Sequence, residues 1–140
     1  MVSSTTTPFS RFFLEQFILN SQNDIFKDLQ LRLAIDDLSG NLAGLIDIFD
    51  FDPLNRRAAI GILVEESNRQ KGFASQALEL VEDYGRKILN LHQLYCSIGV
   101  DNESSLRFFL KAGFEICGKK RNWIWRHEKW LDEYFLQKIL

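Results

Sequence analysis

The residues best suited to chemistry form the stretch Arg-Gln-Lys-Gly-Phe-Ala from Arg69 to Ala74, which joins an apolar run to an amphipathic one. A helix that begins after Gly72 would present unpaired backbone N–H groups and a partial positive charge, a combination that binds phosphate. Gly72 lets the backbone approach a pyrophosphate closely, and Arg69 and Lys71 add positive charge. Glycine also serves turn geometry alone, so these residues by themselves leave a purely structural interpretation open.

Motifs and composition argue against several other classes of protein. A Walker loop needs Gly-x-x-x-x-Gly-Lys-Ser/Thr and a dinucleotide-binding fold needs Gly-x-Gly-x-x-Gly, and neither pattern occurs. A net charge of −2 with interspersed charges argues against a nucleic-acid partner. No apolar run approaches the roughly 20 residues of a membrane span. The N-terminus lacks a signal-peptide pattern, and Cys96 and Cys117 fit no metal-ligand spacing, so we expect a cytoplasmic protein with reduced cysteines and no metal.

Hydrophobic periodicity predicts one α/β domain over residues 1–140 that starts with a helix and three strands. The helix has Ser10 as its N-cap and an apolar stripe of Phe12, Phe13, Phe17 and Ile18. The strands, at 29–35, 42–51 and 56–65, form an antiparallel meander. The third contains the run Ala-Ala-Ile-Gly-Ile-Leu-Val at 58–64, which predicts burial on both faces of a sheet.

The period changes after Gly72, where one apolar helical stripe extends to Leu89. Its members are Ala74, Ala77, Leu78, Val81, Tyr84 and Ile88. A strand at 94–100, a short helix capped by Asn102 and a strand at 114–126 follow. The last segment, 130–139, is predicted as a strand, with a helix as the alternative. Strands and helices in this order predict a mixed α/β sheet with helices on its faces.

The stretch Arg69-x-x-Gly72-x-Ala74 resembles the Gln/Arg-x-x-Gly-x-Gly/Ala signature of the GNAT acetyltransferases, at the junction where that family carries it. Downstream, Asn-Glu-Ser-Ser-Leu-Arg-Phe-Phe at 102–109, followed by Gly-Phe at 113–114, is similar to the family's Asn-x-x-Ala/Ser-x-x-Leu/Phe-Tyr…Gly-Phe segment. With Arg-Ala-Ala-Ile-Gly at 57–61 and Leu-Asn-Leu-His at 89–92, the chain looks most like the branch that contains bacterial spermidine and ribosomal-protein N-acetyltransferases. The resemblance extends from Leu29 to the C-terminus.

The resemblance implies a meander followed by β-α-β-α-β in a splayed, mostly antiparallel central sheet, with acetyl-CoA as co-substrate and no metal. The backbone at 62–64 would pair with the pantetheine arm like an added strand, and residues 70–75 would hold the pyrophosphate. Asn102 and Phe108 would contact the pantetheine arm, with core packing as the alternative for Phe108. The implied cofactor-binding set is Ile62, Leu63, Val64, Arg69, Gln70, Lys71, Gly72, Phe73, Ala74, Ser75, Asn102, Ser105, Phe108 and Phe109.

Two departures from the family bear on mechanism. Phe109 stands where the family often has a tyrosine that protonates the leaving thiolate, and Ala59 where it often has a glutamate that draws a proton from the amine. The backbone N–H of Val64 would still polarise the thioester carbonyl. Glu65 is the first candidate for the base, with a solvated strand end as the alternative. Other candidates for the missing groups are Glu66, Tyr84, Tyr95 and Tyr134.

The implied reaction is direct attack of a small-molecule or peptide primary amine on acetyl-CoA in a ternary complex. The acidic residues Asp47, Asp50, Asp52, Glu65 and Glu66 could favour a cationic polyamine, although acids on strands are usually only solvated. The main alternative is an acetyl-CoA-binding module with weak or no turnover, and a structural role in a larger assembly is a third. The chain starts where family members have already passed a strand and a helix. Either the sequence is truncated, or the domain does without its first strand, in which case an uncovered sheet edge predicts a homodimer or higher homo-oligomer.

Overall fold

The structure, a computed structural model, describes residues 25–36, 39–64 and 72–140, and for Val64 the backbone only. These residues fall into two compact units, one that ends at His92 and one from Gln93 to Leu140. The helix predicted after Ser10 lies outside the described residues. Six strands and two longer helices occur in the described ranges, and the strand pairings within each unit are antiparallel. The predicted mixed α/β fold class is therefore confirmed.

The sheet of the first unit is the predicted antiparallel meander. Its strands are β1 (Leu31–Asp36), β2 (Leu42–Asp52) and β3 (Arg57–Val64). Leu33 lies opposite Ile46 and Ile48 opposite Ile60, and all four side chains are at most 2% exposed. The strand predicted from Leu29 begins at Leu31, because Leu29 has a left-handed φ of 61° and closes a helical turn at 25–28.

The turn between β2 and β3 is organised by the carboxylate of Asp52. Its Oδ1 accepts hydrogen bonds from the backbone N–H groups of Leu54 and Asn55, at 3.1 and 3.0 Å, and its Oδ2 accepts one from the Asn55 side chain at 2.9 Å. Arg57 lies 3.4 Å from the same carboxylate. The hydrogen bonds from Asn55 are the main reason that the pKa of Asp52 lies below its ordinary value of 3.8.

Asp52 is therefore expected to make stability depend on pH. A carboxyl whose pKa is lowered by folding stabilises the native state above its unfolded pKa, and that contribution is lost as the pH falls through the folded pKa. Asp52→Asn keeps the shape of the side chain but cannot ionise. The difference in melting temperature between wild type and Asp52→Asn should be full at neutral pH and shrink below about pH 3.8. A difference that is independent of pH would contradict this assignment.

The prediction that β3 is buried on both faces holds for one half of the strand and is wrong for the other. Ala58, Ala59 and Ile60 are buried, whereas Leu63 is 65% exposed. Leu63 pairs with Leu45, two residues from Asp47, so it lies on the sheet face that carries the exposed ion pair between Asp47 and Arg32. An apolar run reveals the hydrophobicity of a strand but not which of its faces is covered.

Helix α1 (Phe73–Lys87) belongs to the same unit, and its buried residues are Ala77, Leu78, Leu80, Val81, Glu82 and Gly85. The predicted stripe is correct at Ala77, Leu78 and Val81 but wrong at Ile88, which is 52% exposed. The cause is the end of the helix, because Ile88 is the C-cap and its N–H donates to the carbonyl of Tyr84. The chain then leaves the helical path.

A long-range contact fixes the segment after α1. The Arg56 guanidinium donates to the backbone carbonyl of Asn90 at 2.8 Å and to its side-chain oxygen at 3.2 Å. The N–H of His92 in turn donates to the carbonyl of Arg56 at 2.6 Å. Both Arg56 and Asn90 have left-handed φ values, 56° and 57°, so two turns that are 34 residues apart hold each other.

The second unit contains three strands and one helix, in the strand order β4-β6-β5. They are β4 (Gln93–Gly99), α2 (Glu103–Lys111), β5 (Glu115–Arg126) and β6 (Lys129–Ile139). β6 runs antiparallel to both neighbours, so the last segment is a strand and its helical alternative is wrong. Leu94, Cys96, Ile98 and Leu136 form its buried sheet face. Neither described helix is long and apolar enough to span a membrane.

Candidate functional site

The N-terminus of α1, where the sequence predicts an anion site, is capped by a glycine. Gly72 is the N-cap, with a left-handed φ of 84°, and within the described residues no side chain forms a cap hydrogen bond at this helix end. The first turn carries no acidic residue, and the first helical bond runs from the N–H of Gln76 to the carbonyl of Gly72 at 3.0 Å. The backbone N–H groups of residues 73–75 therefore lack intrahelical partners and point out of the helix end. Phe73, Ala74 and Ser75, three of the predicted cofactor contacts, supply these groups.

The positive φ of Gly72, rather than lack of space, explains the glycine. Among the described residues, a Cβ added at this position would meet the side-chain nitrogen of Gln76 at an ordinary contact distance of 3.8 Å, and no other atom within 4 Å. A left-handed backbone is strained for any residue with a side chain, so glycine is the residue that fits. The predicted close approach of backbone to ligand stays a prediction.

Helix α2, unlike α1, begins with a side-chain cap and an acidic residue. The side chain of Asn102, its N-cap, accepts a hydrogen bond from the N–H of Ser105 at 3.3 Å, and Glu103 lies in the first turn. The N-cap bond satisfies one of the free N–H donors of this helix end, and the acidic residue complements its dipole. The predicted capping role of Asn102 is confirmed. Because Asn102 Oδ1 and the N–H of Ser105 serve the cap, only the Asn102 amide nitrogen and the Ser105 hydroxyl remain for a ligand.

Gln76 is a candidate site residue that sequence reasoning missed. Its side-chain nitrogen lies beside Gly72, and its Oε1 is buried without a hydrogen-bond partner in the part of the chain that the structure describes. An unsatisfied buried polar atom is costly and calls for an explanation. Its position one turn into α1, directly after the signature, was the available signal.

The three residues of β3 in the predicted set form the C-terminal end of that strand. Ile62, Leu63 and Val64 pair with residues 44–46 of β2. In an antiparallel strand, alternate residues direct their N–H and C=O groups to the opposite edge, where an added strand would bind. The remaining predicted residues Glu65, Arg69, Gln70 and Lys71 lie outside the described residues, so their roles stay predictions.

Phe109 is buried in a cluster of three aromatic rings. It is 4% exposed and packs edge-to-face against Phe108 at 5.2 Å and Phe114 at 5.0 Å between ring centroids. The Gly-Phe pair at 113–114, which closes the second sequence motif, forms hydrogen bonds at the end of helix α2. Gly113, with φ 101°, donates to the carbonyl of Leu110, and the N–H of Phe114 donates to the carbonyl of Phe109. These two bonds and the ring contact form a Schellman motif, which ends α2.

Gly113→Ala should destabilise the second unit, because alanine at φ 101° is strained and its Cβ would lie 3.3 Å from the Lys138 side chain. The expected loss is about 1–2 kcal/mol, or roughly 3–8 °C in melting temperature. Gly118→Ala is the matched control, since Gly118 has no positive φ and an added Cβ would meet no atom of the described residues within 4 Å. Equal melting temperatures for the two variants would contradict the capping role of Gly113.

Of the groups proposed to replace the missing acid and base, Tyr84 is poorly suited to that role. Ala59 is buried and without a functional group. The hydroxyl of Tyr84 is buried with no partner among the described residues, and burial raises its pKa. Tyr84 also lies twelve positions after Gly72, roughly 18 Å along the helix axis. It is therefore distant from the N-terminal end of α1.

Two of the acidic residues that suggested a cationic acceptor are already engaged. Asp47 accepts two hydrogen bonds from Arg32, at 2.8 and 3.0 Å, and Asp52 holds its own turn. Asp50 is exposed, with φ 50°, at a bulge that interrupts the alternation of β2. Within the described residues, no cluster of three or more His, Cys, Asp or Glu side chains could hold a metal ion.

Comparison with known proteins identifies the family. The acetyltransferase (GNAT) domain profile matches residues 6–135, and the chain therefore belongs to the GNAT acetyltransferase family. It is similar to the spermidine N(1)-acetyltransferase of Escherichia coli (strain K12), with 32% identity over 92 residues, 66% of this chain and 50% of that protein. It is also 26% identical to the L-amino acid N-acetyltransferase AaaT of the same organism over 111 residues, 79% of this chain and 67% of that protein. The chain spans about half the length of the spermidine acetyltransferases that it matches.

Solved structures with a similar fold also include a spermidine N-acetyltransferase. The crystal structure of spermidine N-acetyltransferase from Vibrio cholerae in complex with CoA and spermine matches with a TM-score of 0.76. The match covers 89% of this chain and 74% of that one, at 22% sequence identity. At this identity the likeness establishes a shared GNAT fold.

Proposed function

We propose that the chain is an acetyl-CoA-dependent N-acetyltransferase that transfers the acetyl group to a primary amine in a ternary complex. The observation that carries this proposal is the start of α1, which lacks both a side-chain cap and an acidic residue and follows a left-handed Gly72. The start of α2, by contrast, has a side-chain cap and an acidic residue, so the start of α1 is better suited to an anion. A solved relative of the same fold contains CoA and spermine, which supports both halves of the proposal.

The residues fit the parts of acetyl-CoA as follows. Gly72 and the N–H groups of residues 73–75 hold the pyrophosphate, with Arg69, Gln70 and Lys71 completing the loop. The backbone of residues 62–64 offers hydrogen bonds to the pantetheine arm on the edge away from β2, as an added strand would accept them. Asn102, Ser105 and the half-buried ring of Phe108 contact the same arm.

The chemistry asked of the protein is modest. Bound acetyl-CoA supplies an already activated thioester, so orientation of the amine provides much of the rate. The N–H of Val64 polarises the carbonyl oxygen, and Glu65 takes the proton that the attacking amine must lose. Phe109 has no ionisable group, so the leaving thiolate takes its proton from solvent.

The acceptor is a primary amine, with polyamines first because relatives in two organisms are named for spermidine. Asp47 and Asp52 already accept hydrogen bonds within the protein, so they offer less negative charge to a polyamine. Peptide and amino-acid amines therefore stay as alternatives. Thiol release from acetyl-CoA should be measured with spermidine, spermine, a peptide with a free N-terminus and an L-amino acid. Turnover that is highest with spermidine is the expected result.

A binding module with weak or no turnover is the second candidate, and a specific observation favours it. Both positions at which the family often has an acid or base, Ala59 and Phe109, are buried apolar side chains here. Under this alternative, acetyl-CoA binds in a titration but no amine in the panel releases thiol. Absence of acetyl-CoA binding would contradict both candidates. The proposal also includes a homodimer or higher homo-oligomer as the assembly in which the chain works.

A further inference from the structure

The side chain of Gln76 lies one turn into α1, on the face of the helix that carries the N-cap. Side chains of an α-helix lean towards its N-terminus, and residues four positions apart share a face. Accordingly, Nε2 of Gln76 lies 3.8 Å from the position that a Cβ of Gly72 would occupy. The amide nitrogen is thus a side-chain donor next to the backbone N–H groups of residues 73–75, which lack intrahelical partners.

The oxygen of the same amide is buried. Oε1 of Gln76 has no hydrogen-bond partner among the described residues, although the residue as a whole is only half-buried. A buried acceptor without a partner costs free energy, which an apolar side chain of the same length would avoid. Such exceptions are expected at functional or strained sites. Strain of the backbone does not explain this one, because the N–H of Gln76 makes a regular helical bond to the carbonyl of Gly72 at 3.0 Å.

Tyr84 offers a comparison within the same helix. Its hydroxyl is the other buried side-chain oxygen without a partner in the described part of the chain. Tyr84 lies eight positions after Gln76, roughly 12 Å along the helix axis, near the end of α1 that carries a partial negative charge. Of the two unpartnered oxygens, the one in Gln76 therefore belongs to a side chain at the helix end that attracts anions.

From this we infer that the side-chain nitrogen of Gln76 donates a hydrogen bond to the pyrophosphate of acetyl-CoA, next to the N–H groups of residues 73–75. The inference rests on the proposed function, because it requires acetyl-CoA at the start of α1. Phosphate oxygens accept hydrogen bonds, so the nitrogen of the amide must face them, and the nitrogen is the atom beside Gly72. A bond to an anion is roughly twice as strong as one between neutral groups, which offsets the cost of the buried oxygen when the cofactor is bound.

Gln76→Met should change stability and cofactor binding in opposite directions. Methionine is similar in length and helix propensity but has no amide. Without ligand, the variant should melt roughly 3 °C or more above the wild type, because the buried unpartnered oxygen is gone. Its affinity for acetyl-CoA, measured by isothermal titration, should be lower by about tenfold or more, because a charge-assisted hydrogen bond is lost.

Tyr84→Phe is the matched control, since it also removes a buried, unpartnered oxygen from α1. It should melt above the wild type without ligand but bind acetyl-CoA with wild-type affinity. Gln76→Glu adds a test of charge. Its carboxylate has the shape of the amide but cannot donate, and it repels the pyrophosphate. Its affinity should therefore fall below that of Gln76→Met at low ionic strength and approach it as salt is added.

ADP locates the contact within the cofactor, because it contains a pyrophosphate but no pantetheine arm. Gln76→Met should weaken the binding of ADP by about the same factor as the binding of acetyl-CoA. If acetyl-CoA binding is weakened while ADP binds as it does to the wild type, Gln76 contacts the arm and the assignment to the pyrophosphate is wrong.

Three other outcomes separate the inference from the proposed function. A Gln76→Met variant that melts below the wild type would assign Gln76 a structural role and overturn the inference. If wild type and Gln76→Met bind acetyl-CoA equally well, Gln76 is not part of the site, while the proposed function stands. A wild type that does not bind acetyl-CoA overturns the inference and the proposed function together.

Discussion

Gly72→Glu is expected to abolish acetyl-CoA binding while the protein stays folded. The start of α1 has no cap of its own, so a carboxylate attached at the N-cap would occupy the unpaired N–H groups and repel the pyrophosphate. The loss of two charge-assisted hydrogen bonds alone corresponds to a decrease in affinity of at least about a hundredfold. The described residues leave room for a Cβ at this position, because the one contact that it would make with them is with Gln76 at 3.8 Å. Isothermal titration with acetyl-CoA measures the effect, and a thermal melt verifies the fold.

The positive φ of Gly72 requires a control, since any substitution there strains the backbone. Gly72→Ala introduces the same strain without a charge or a long side chain. It should lower the melting temperature as Gly72→Glu does but retain measurable binding. If Gly72→Glu is folded and binds acetyl-CoA as the wild type does, the cofactor site is not at α1. If both variants lose binding equally, the backbone conformation of Gly72 matters and the charge does not.

Features of the fold that depend on local periodicity could be predicted from the sequence. Strand alternation gave β4 with Leu94, Cys96 and Ile98 inside, and the N-cap at Asn102 was recognisable from residue type. Contacts between distant segments could not be predicted. The hold of Arg56 on Asn90 joins two turns 34 residues apart, and no pattern in either turn indicates the other.

The candidate site illustrates the same limit. The loop and helix that would hold phosphate were recognised because the signature is contiguous, and its helix begins after Gly72 as predicted. The acidic acceptor set was weaker evidence, because alternation on β2 does not reveal that Arg32 binds Asp47 from another strand. It also does not reveal the bulge at Asp50. Charge counted along a sequence overstates the charge that a ligand meets when cross-strand partners neutralise it.

Phe109→Tyr is expected to lower stability without raising turnover. The family's tyrosine at this position would protonate the leaving thiolate, and a hydroxyl that reached the sulfur could raise turnover by up to about a hundredfold. Phe109, however, lies between Phe108 and Phe114 and supplies the ring contact of the helix cap, with 4% of its surface exposed. A buried hydroxyl without a partner costs roughly 1–3 kcal/mol. Phe109→Ala, which removes the ring, should cost about 3–5 kcal/mol.

Turnover and melting temperature measured on the same preparation decide between the two roles of this position. Phe108→Tyr is the matched control, because Phe108 belongs to the same ring cluster but is only half-buried, so its added hydroxyl can reach water. We expect it to melt near the wild type, well above Phe109→Tyr. The pH–rate profile of the wild type should also lack a limb from a tyrosine with a pKa of about 10, since no phenol protonates the thiolate. Higher turnover in Phe109→Tyr at an unchanged melting temperature would contradict the packing role. It would mean that the ring lies next to the reacting sulfur. The wild-type protein would then work without a proton donor at a position where its fold could accommodate one.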